Sequence, residues 1–405
     1  MKGKQIYVAM VISAVLILLV LAGVVWAQPK TPTGKTEKLT IGVSVAMSGP
    51  AAAWGQMFDR GCSLAVEDIN SKGGVTVGDV RYVLQHKTFD HAYDPSRAVE
   101  IAKRMISVEK PFWVITFGTT ATKPIIPFTE ENKMLVMHAG AGKEIMIFRK
   151  QNYTYRSITG APELSFVTWQ WVSRKHPEWK TTVEMQPDDA SGWEALKDIK
   201  EWILPRAGVK LVAERLYRRG ITDFYPILVG LLGAKPDVFD LSNLPPADQG
   251  RILKQAREMG YNGPFIAPLG STISPVLEIG GEHAEGLLFG ANIDPTSRFA
   301  TAEEKAFYDR FMKTYGPPYQ FNTVEVALSV YVVAQAIEKA NSLDPDKVTK
   351  IIQTAEFNVL GRKIKFGGVS VYGPPPRQVI LPWGIFVVEK GKPKMIDIME
   401  LPVDY

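Results

Sequence analysis

The sequence predicts an α/β protein of two units, each an open parallel sheet flanked by helices. Three observations carry this. Strand-like and helix-like stretches alternate from residue 39 almost to the end. The alternation breaks off near Gly160 and then restarts. The chain has 405 residues, 46% hydrophobic and 22% charged, which is ordinary globular composition at a length that favours two or three domains.

The first unit opens with a strand over Leu39–Val45 and a helix over Ala52–Ser71. Val80–Thr88 is strand-like. Asp94-Pro95 then starts a helix, with Asp94 as N-cap, Pro95 in the first turn, and Ala98, Ile101, Ala102 and Met105 as its apolar face. Trp113–Phe117 and Met134–His138 read as short buried strands around a helix that begins near Thr120. This βαβαβ order requires a sheet covered on both faces. In the second unit, Thr181–Gln186, Val209–Glu214, Val238–Leu241 and Pro264–Ala267 read as strands. Trp193, Leu196, Ile199 and Ile203 stripe one helix. Ile252, Leu253, Ala256 and Met259 stripe another, which stops at Gly260. Helices follow over Ala302–Tyr315, Thr323–Ala340 and Pro345–Thr354, and the tail after Phe357 is strand-rich.

Two lysines precede an uncharged, almost wholly apolar run, Ile6–Ala27, that ends in Val25-Trp26-Ala27. That is the pattern of an export signal cut after Ala27, with 28–38 as a polar linker. The run is also long enough to serve as an uncleaved anchor. Either way the bulk of the chain is expected outside the cytoplasm. No cysteine follows the run, so a lipid-modified N-terminus is not expected. The single cysteine, Cys62, shares a helical stripe with Phe58, Ala65 and Ile69 and is expected to be a buried, inert thiol. Removing Lys2 and Lys4 leaves 45 basic against 42 acidic side chains, a net +3. That is too weak a bias for nucleic-acid binding.

Catalytic patterns fail one by one. Gly140-Ala141-Gly142-Lys143-Glu144 resembles the end of a phosphate loop, but Met137 stands where the first glycine belongs and Glu144 where a hydroxyl should bind magnesium. No dinucleotide glycine motif or nucleophile elbow occurs. The histidines, at 86, 91, 138, 176 and 283, lack metal-ligand spacing. No enzyme activity, metal or cofactor is expected. What remains is the ligand position of open α/β sheets, beyond the carboxyl ends of the strands. Gly118-Thr119-Thr120, after strand Trp113–Phe117, is such a place, although a plain helix cap reads equally well.

Ile41–Gly49 with Pro50, Trp54-Gly55-Gln56, Gly61 through Glu67-Asp68-Ile69-Asn70, and Lys72-Gly73-Gly74 resemble the opening of the leucine/isoleucine/valine-binding protein family. Asp94-Pro95 with Ala98 resembles its next helix start, and Ala284-Glu285-Gly286 its return to the first lobe. The likeness spans about 39–400. It implies the type I two-lobed fold of periplasmic binding proteins with three crossovers and closure by hinge and shear. Lobe one would be 38–158 plus 290–356, and lobe two 159–289 plus 357–405. It also implies capture of a small organic solute, amino-acid-like or another carboxylate, for the permease subunits of an ABC importer. Membrane contact would come through that permease or an uncleaved N-terminus, and a monomer is expected. A ligand-sensing receptor module of the same fold is the alternative.

The resemblance places Thr119 where a hydroxyl holds the ligand carboxylate, with Gly118 and Thr120 beside it. Gly140 and Ala141 stand where the family has an assisting threonine. Trp54 matches the aromatic residue bordering the ligand. Ser191, ahead of Gly192-Trp193, takes the place of a tyrosine, and Asn243 matches another cleft-facing position. Leu269 replaces the acidic partner of the ligand ammonium. A buried ammonium without a counter-charge costs several kcal/mol. An aromatic or branched carboxylate is therefore expected in preference to a free α-amino acid, unless a carboxylate such as Asp188 or Asp189 compensates.

Overall fold

The computed structural model describes residues 34–403 apart from 50, 141, 189, 269–272, 318 and 320–322, so the leading segment 1–27 lies outside the described residues. Two sheets form. The first has nine strands, ordered Phe357–Val359, Arg362–Gly367, Gln378–Ile380, Thr154–Arg156, Leu135–Ala139, Trp113–Phe117, Thr36–Val45, Val80–Asp90 and Val75–Val77. The five strands from Thr154–Arg156 to Val80–Asp90 run parallel to one another. The second has seven strands, ordered Lys392–Glu400, Pro382–Glu389, Leu288–Ala291, Phe265–Ala267, Val238–Asp240, Thr181–Pro187 and Lys210–Tyr217. Its last five are parallel.

The edges depart from the all-parallel expectation. Strands closed by short turns pair antiparallel at 75–90, 357–367 and 382–400, since a tight turn cannot join parallel neighbours, and Gln378–Ile380 pairs antiparallel with Arg362–Gly367 after a longer connection through helix Val369–Tyr372. The tail also divides differently from the expected boundaries. Strands Phe357–Val359, Arg362–Gly367 and Gln378–Ile380 belong to the first sheet, so the chain enters the second sheet at Pro382 and not at 357. Leu288–Ala291 still belongs to the second sheet, so the preceding crossover follows residue 291.

Each sheet has its own core. In the first lobe Ile41, Val43, Ile115 and Leu135 meet Cys62 and Ala65 of helix Ala52–Ser71, and Val330 and Val333 of helix Thr323–Ala340. Cys62 is fully buried, and burial pushes its thiol well above the usual range, so it stays protonated and inert. The Asp94 cap falls where the sequence places it. Asp94 accepts from the Arg97 N–H at 2.8 Å. Thr301 and Glu304 form a reciprocal capping box ahead of Ala302–Tyr315. The second lobe stacks Val183, Phe239, Phe265 and Phe289 over Ile252, Leu253 and Ala256. A helix that the sequence reading passes over, Ala161–Lys175, fills its other face with Trp169 and Val172.

Candidate functional site

Strand ends from both lobes converge on one cleft of ≈ 520 Å³. That volume suits a small organic ligand. From the first lobe, Tyr93, Thr119, Thr120, Lys123, Gly142, Lys143 and Glu144 line it. From the second come Ala161, Pro162, Ser165, Glu194, Ala195, Asp198, Ile199, Ile203, Ser242 and Asn243. A groove of ≈ 620 Å³ on the first lobe lies away from the strand ends, and its two cations are taken up by Asp68, which holds Lys72 at 2.8 Å and Arg310 at 3.0 Å.

In the first lobe the chain leaves strand Trp113–Phe117 through Gly118, whose φ of +86° admits few other residues. Helix Thr119–Thr122 starts at once. The Gly142 N–H donates to Thr119 Oγ1 at 3.2 Å, which joins two neighbouring strand-end loops. Tyr93, itself at φ +61°, packs its ring where a Gly118 side chain would be, 2.4 Å from the ideal Cβ position. Asp90 holds this corner. It accepts from the Met47 and Ala92 N–H groups at 2.8 and 2.7 Å and from Ser48 Oγ at 2.6 Å. Gly118→Ala is accordingly expected to cost about 1–3 kcal/mol of stability and to displace Tyr93. Thermal unfolding of the variant checks it; an unchanged midpoint would show the corner to be slack.

Behind this wall His138 accepts the Gly140 N–H on Nδ1 at 3.1 Å. Burial and the nearby Arg156 and Arg377 charges hold the imidazole well below its usual pKa, so it stays a neutral acceptor.

In the second lobe, helix Ala190–Asp198 begins hard against strand Thr181–Pro187. A side chain on Gly192 would lie 2.0 Å from the Pro187 carbonyl oxygen, which is why glycine stands there. The helix widens to a π-turn over Ile199–Ile203, and Asp198, Ile199 and Ile203 of this stretch face the cleft. The loop after Val238–Asp240 is equally fixed. Asp240 accepts from the Ser242 N–H at 2.7 Å, Ser242 Oγ at 2.6 Å and Trp169 Nε1 at 2.7 Å. Gln186 Nε2 donates to the Ser242 carbonyl at 2.8 Å. Asn243 follows at φ +56° and lines the cleft.

The two walls touch through charged groups. Lys143 Nζ of the first lobe lies 3.2 Å from Asp198 Oδ1 of the second. Glu194 faces the side chain and N–H of Glu144. Burial raises the Asp198 carboxyl, with Glu163 adding to the rise and Lys143 opposing it.

Of the residues singled out in the sequence, Thr119, Thr120 and Asn243 line the cleft and Gly118 shapes it. Trp54 is exposed and packs its ring tilted against Phe117, with centroids 5.2 Å apart, outside the lining. Gly140 is buried beneath the wall, its ideal Cβ position 2.2 Å from Ile145. Trp193 is exposed and donates to Asp188 Oδ1 at 2.8 Å, on the outer side of its helix. Ser191 falls within helix Ala190–Asp198. Ala141 and Leu269 lie outside the described residues. Sequence reading missed Tyr93, Lys123, Lys143, Glu144, Glu194 and Asp198. The expected shortage of negative charge does not hold: three carboxylates line the cleft whatever stands at 269.

Two α/β lobes, joined by crossovers and closing on a small-molecule cleft at their strand ends, define a bilobal binding protein. The chain belongs to the periplasmic binding protein family, whose model matches residues 38–392. It is 25% identical over 321 residues to the leucine-, isoleucine-, valine-, threonine- and alanine-binding protein of Pseudomonas aeruginosa, covering 79% of this chain and 83% of that one. Its fold matches a solute-binding protein of an ABC transporter from Rhodopseudomonas palustris in complex with 3,4-dihydroxybenzoic acid, with a TM-score of 0.71 at 22% identity over 90% of this chain and 98% of that one. It likewise matches a branched-chain amino acid transporter substrate-binding protein of Streptococcus pneumoniae in complex with isoleucine, with a TM-score of 0.72 at 18% identity over 90% of this chain and all of the other. Members of this family bind solutes and are not enzymes.

Proposed function

We propose that this chain captures a small carboxylate-bearing organic solute outside the cytoplasm, by closing its lobes, and delivers it to the permease subunits of an ABC importer. The observation that carries the reading is the cleft itself, whose walls come from both lobes and bear opposite kinds of polar group. The Thr119–Thr120 helix start and Lys123 suit a carboxylate. Glu194 and Asp198 suit a positive group on the same ligand. Tyr93, Pro162, Ile199 and Ile203 supply an apolar surround. An amino-acid-like zwitterion with an apolar side chain fits this set. Export through the leading apolar segment and action as a monomer belong to the same proposal.

A second reading, an aromatic acid without an amine, is favoured by Tyr93 on the carboxylate side of the cleft. Calorimetry with leucine, isoleucine, benzoate and 3,4-dihydroxybenzoate separates the two. Thr119→Val is expected to weaken whichever ligand binds by about tenfold, since it removes one hydrogen bond to a charged group. If none of these acids bound and small-angle scattering stayed fixed across a wider set of solutes, the transport reading would fail.

A further inference from the structure

We propose that the ligand-free lobes close around a shared proton: the carboxyl groups of Glu144 and Glu194, one from each lobe, make closure proton-linked, so that acid favours the closed form and alkali the open one. This deepens the reading of the chain as a protein that works by closure, and rests on it.

Glu144 lies in the first turn of helix Lys143–Ile147 in the first lobe. Glu194 lies on helix Ala190–Asp198 in the second. Both line the cleft, and their carboxyl groups meet across it. Glu144 Oε2 is sealed from water and accepts no hydrogen bond among the described residues; with Glu194 half-buried beside it, two ionised carboxylates would repel each other there, so one keeps its proton. The surroundings sharpen the conflict. Asp198, one turn along the same helix, adds negative charge, and its neutralising cation Lys143 is held by it at 3.2 Å. Behind Asp198, Glu163 is paired with Arg156 at 3.1 Å. Lys197 is exposed on the outer side of the helix. On the first-lobe wall Lys123 sits over the Phe148 ring at 5.4 Å, and Tyr93 and Thr120 are uncharged. Asp188, before the helix, is engaged by Trp193.

With the lobes in contact at Lys143 and Asp198, burial first, then Glu144 and Asp198, push Glu194 up to about 7. Opened to water, a glutamate returns to about 4.3. The closed form therefore binds the extra proton. Its advantage is greatest at or below the ordinary carboxylate range, declines as pH rises, and is gone above about 7. Between pH 6 and pH 8 the closure constant is expected to fall by about tenfold.

Small-angle scattering of the ligand-free full chain between pH 5.5 and 8.5 tests this, with Glu194→Gln and Glu144→Gln alongside. The wild type is expected to expand as pH rises to about 7 and then hold, Glu194→Gln to stay equally closed throughout, and Glu144→Gln to respond less than the wild type, because burial and Asp198 still act on Glu194. Either variant alone serves should the other fail to fold, because each removes one of the two charges. A wild-type profile that responds to an added solute but not to pH overturns the proton link alone. So does a variant that keeps the wild-type pH response. A profile that responds to neither overturns the solute-binding reading as well.

Discussion

Arg156→Met should lower the free energy of unfolding by about 3–5 kcal/mol, the largest loss expected of any single substitution at the junction of the lobes. Arg156 ends strand Thr154–Arg156, is fully buried, and sits where the chain leaves the first lobe. Its guanidinium meets Glu163 Oε1 at 3.1 Å, the Tyr372 hydroxyl at 2.5 Å and Gln378 Oε1, and lies over the Tyr372 ring at 4.9 Å. Glu163 belongs to the first turn of helix Ala161–Lys175, which opens the second lobe. Gln378 belongs to the last strand before the chain returns there at Pro382. One cation thus ties two crossovers. Methionine fills much of the volume but strands a fully buried carboxylate, and that is the costly part. Adding Glu163→Leu to Arg156→Met should recover part of the loss, because the orphaned charge goes too. Denaturant unfolding measures both. A loss under about 1 kcal/mol in the single variant would mean that water reaches the junction and replaces the guanidinium.

The parts of this molecule that the sequence discloses are those whose physics is local. Helices Ala52–Ser71, Ala302–Tyr315, Thr323–Ala340 and Pro345–Thr354 fall where the alternation of the sequence puts them, and helix Pro95–Arg104 starts at its Asp94 cap. Helix Ala161–Lys175 escapes because it is buried on nearly every side, without a break from Pro162 to Trp169, with Glu163, Ser165 and Thr168 among the apolar ones, so it shows no single stripe. Strand Thr154–Arg156 escapes because it is three residues long and ends in an arginine, whose burial makes sense only beside Glu163 and Tyr372. The site divides the same way. Thr119 is legible because a strand end, a glycine and a helix start are contiguous. Glu194 and Asp198 look like the solvated side of an amphipathic helix. They become cleft residues only because another lobe covers them, and Lys143 and Glu144, read as a failed phosphate loop, are part of that cover.

Glu184→Gln should stabilise the protein at pH 7, although it alters a fully buried residue. Glu184 on strand Thr181–Pro187 faces Asp240 on strand Val238–Asp240, and both are sealed from water. Burial, then Asp240, drive the Glu184 carboxyl well above its ordinary range, and burial raises Asp240 as well. Asp240 has three donors, the Ser242 N–H, Ser242 Oγ and Trp169 Nε1, so it keeps the charge and Glu184 the proton. The sign follows. The folded chain binds a proton that the unfolded chain releases near pH 4.3, so stability drains away as pH rises above that value and continues to do so until Glu184 ionises in the fold. A glutamine amide can donate to Asp240 as the protonated acid does, and can accept from Gln186 Nε2, which lies 3.2 Å from Glu184 Oε2. It does so without having to take up a proton on folding. Unfolding free energies measured from pH 5 to pH 8 should therefore fall for the wild type and be flatter for the variant, the curves separating as pH rises. Because Asp240 orders Ser242 and Asn243 in the cleft wall, ligand affinity at neutral pH should change little. A variant less stable than wild type at pH 7 would show that the pair carries no shared proton and that Glu184 is held ionised by its surroundings.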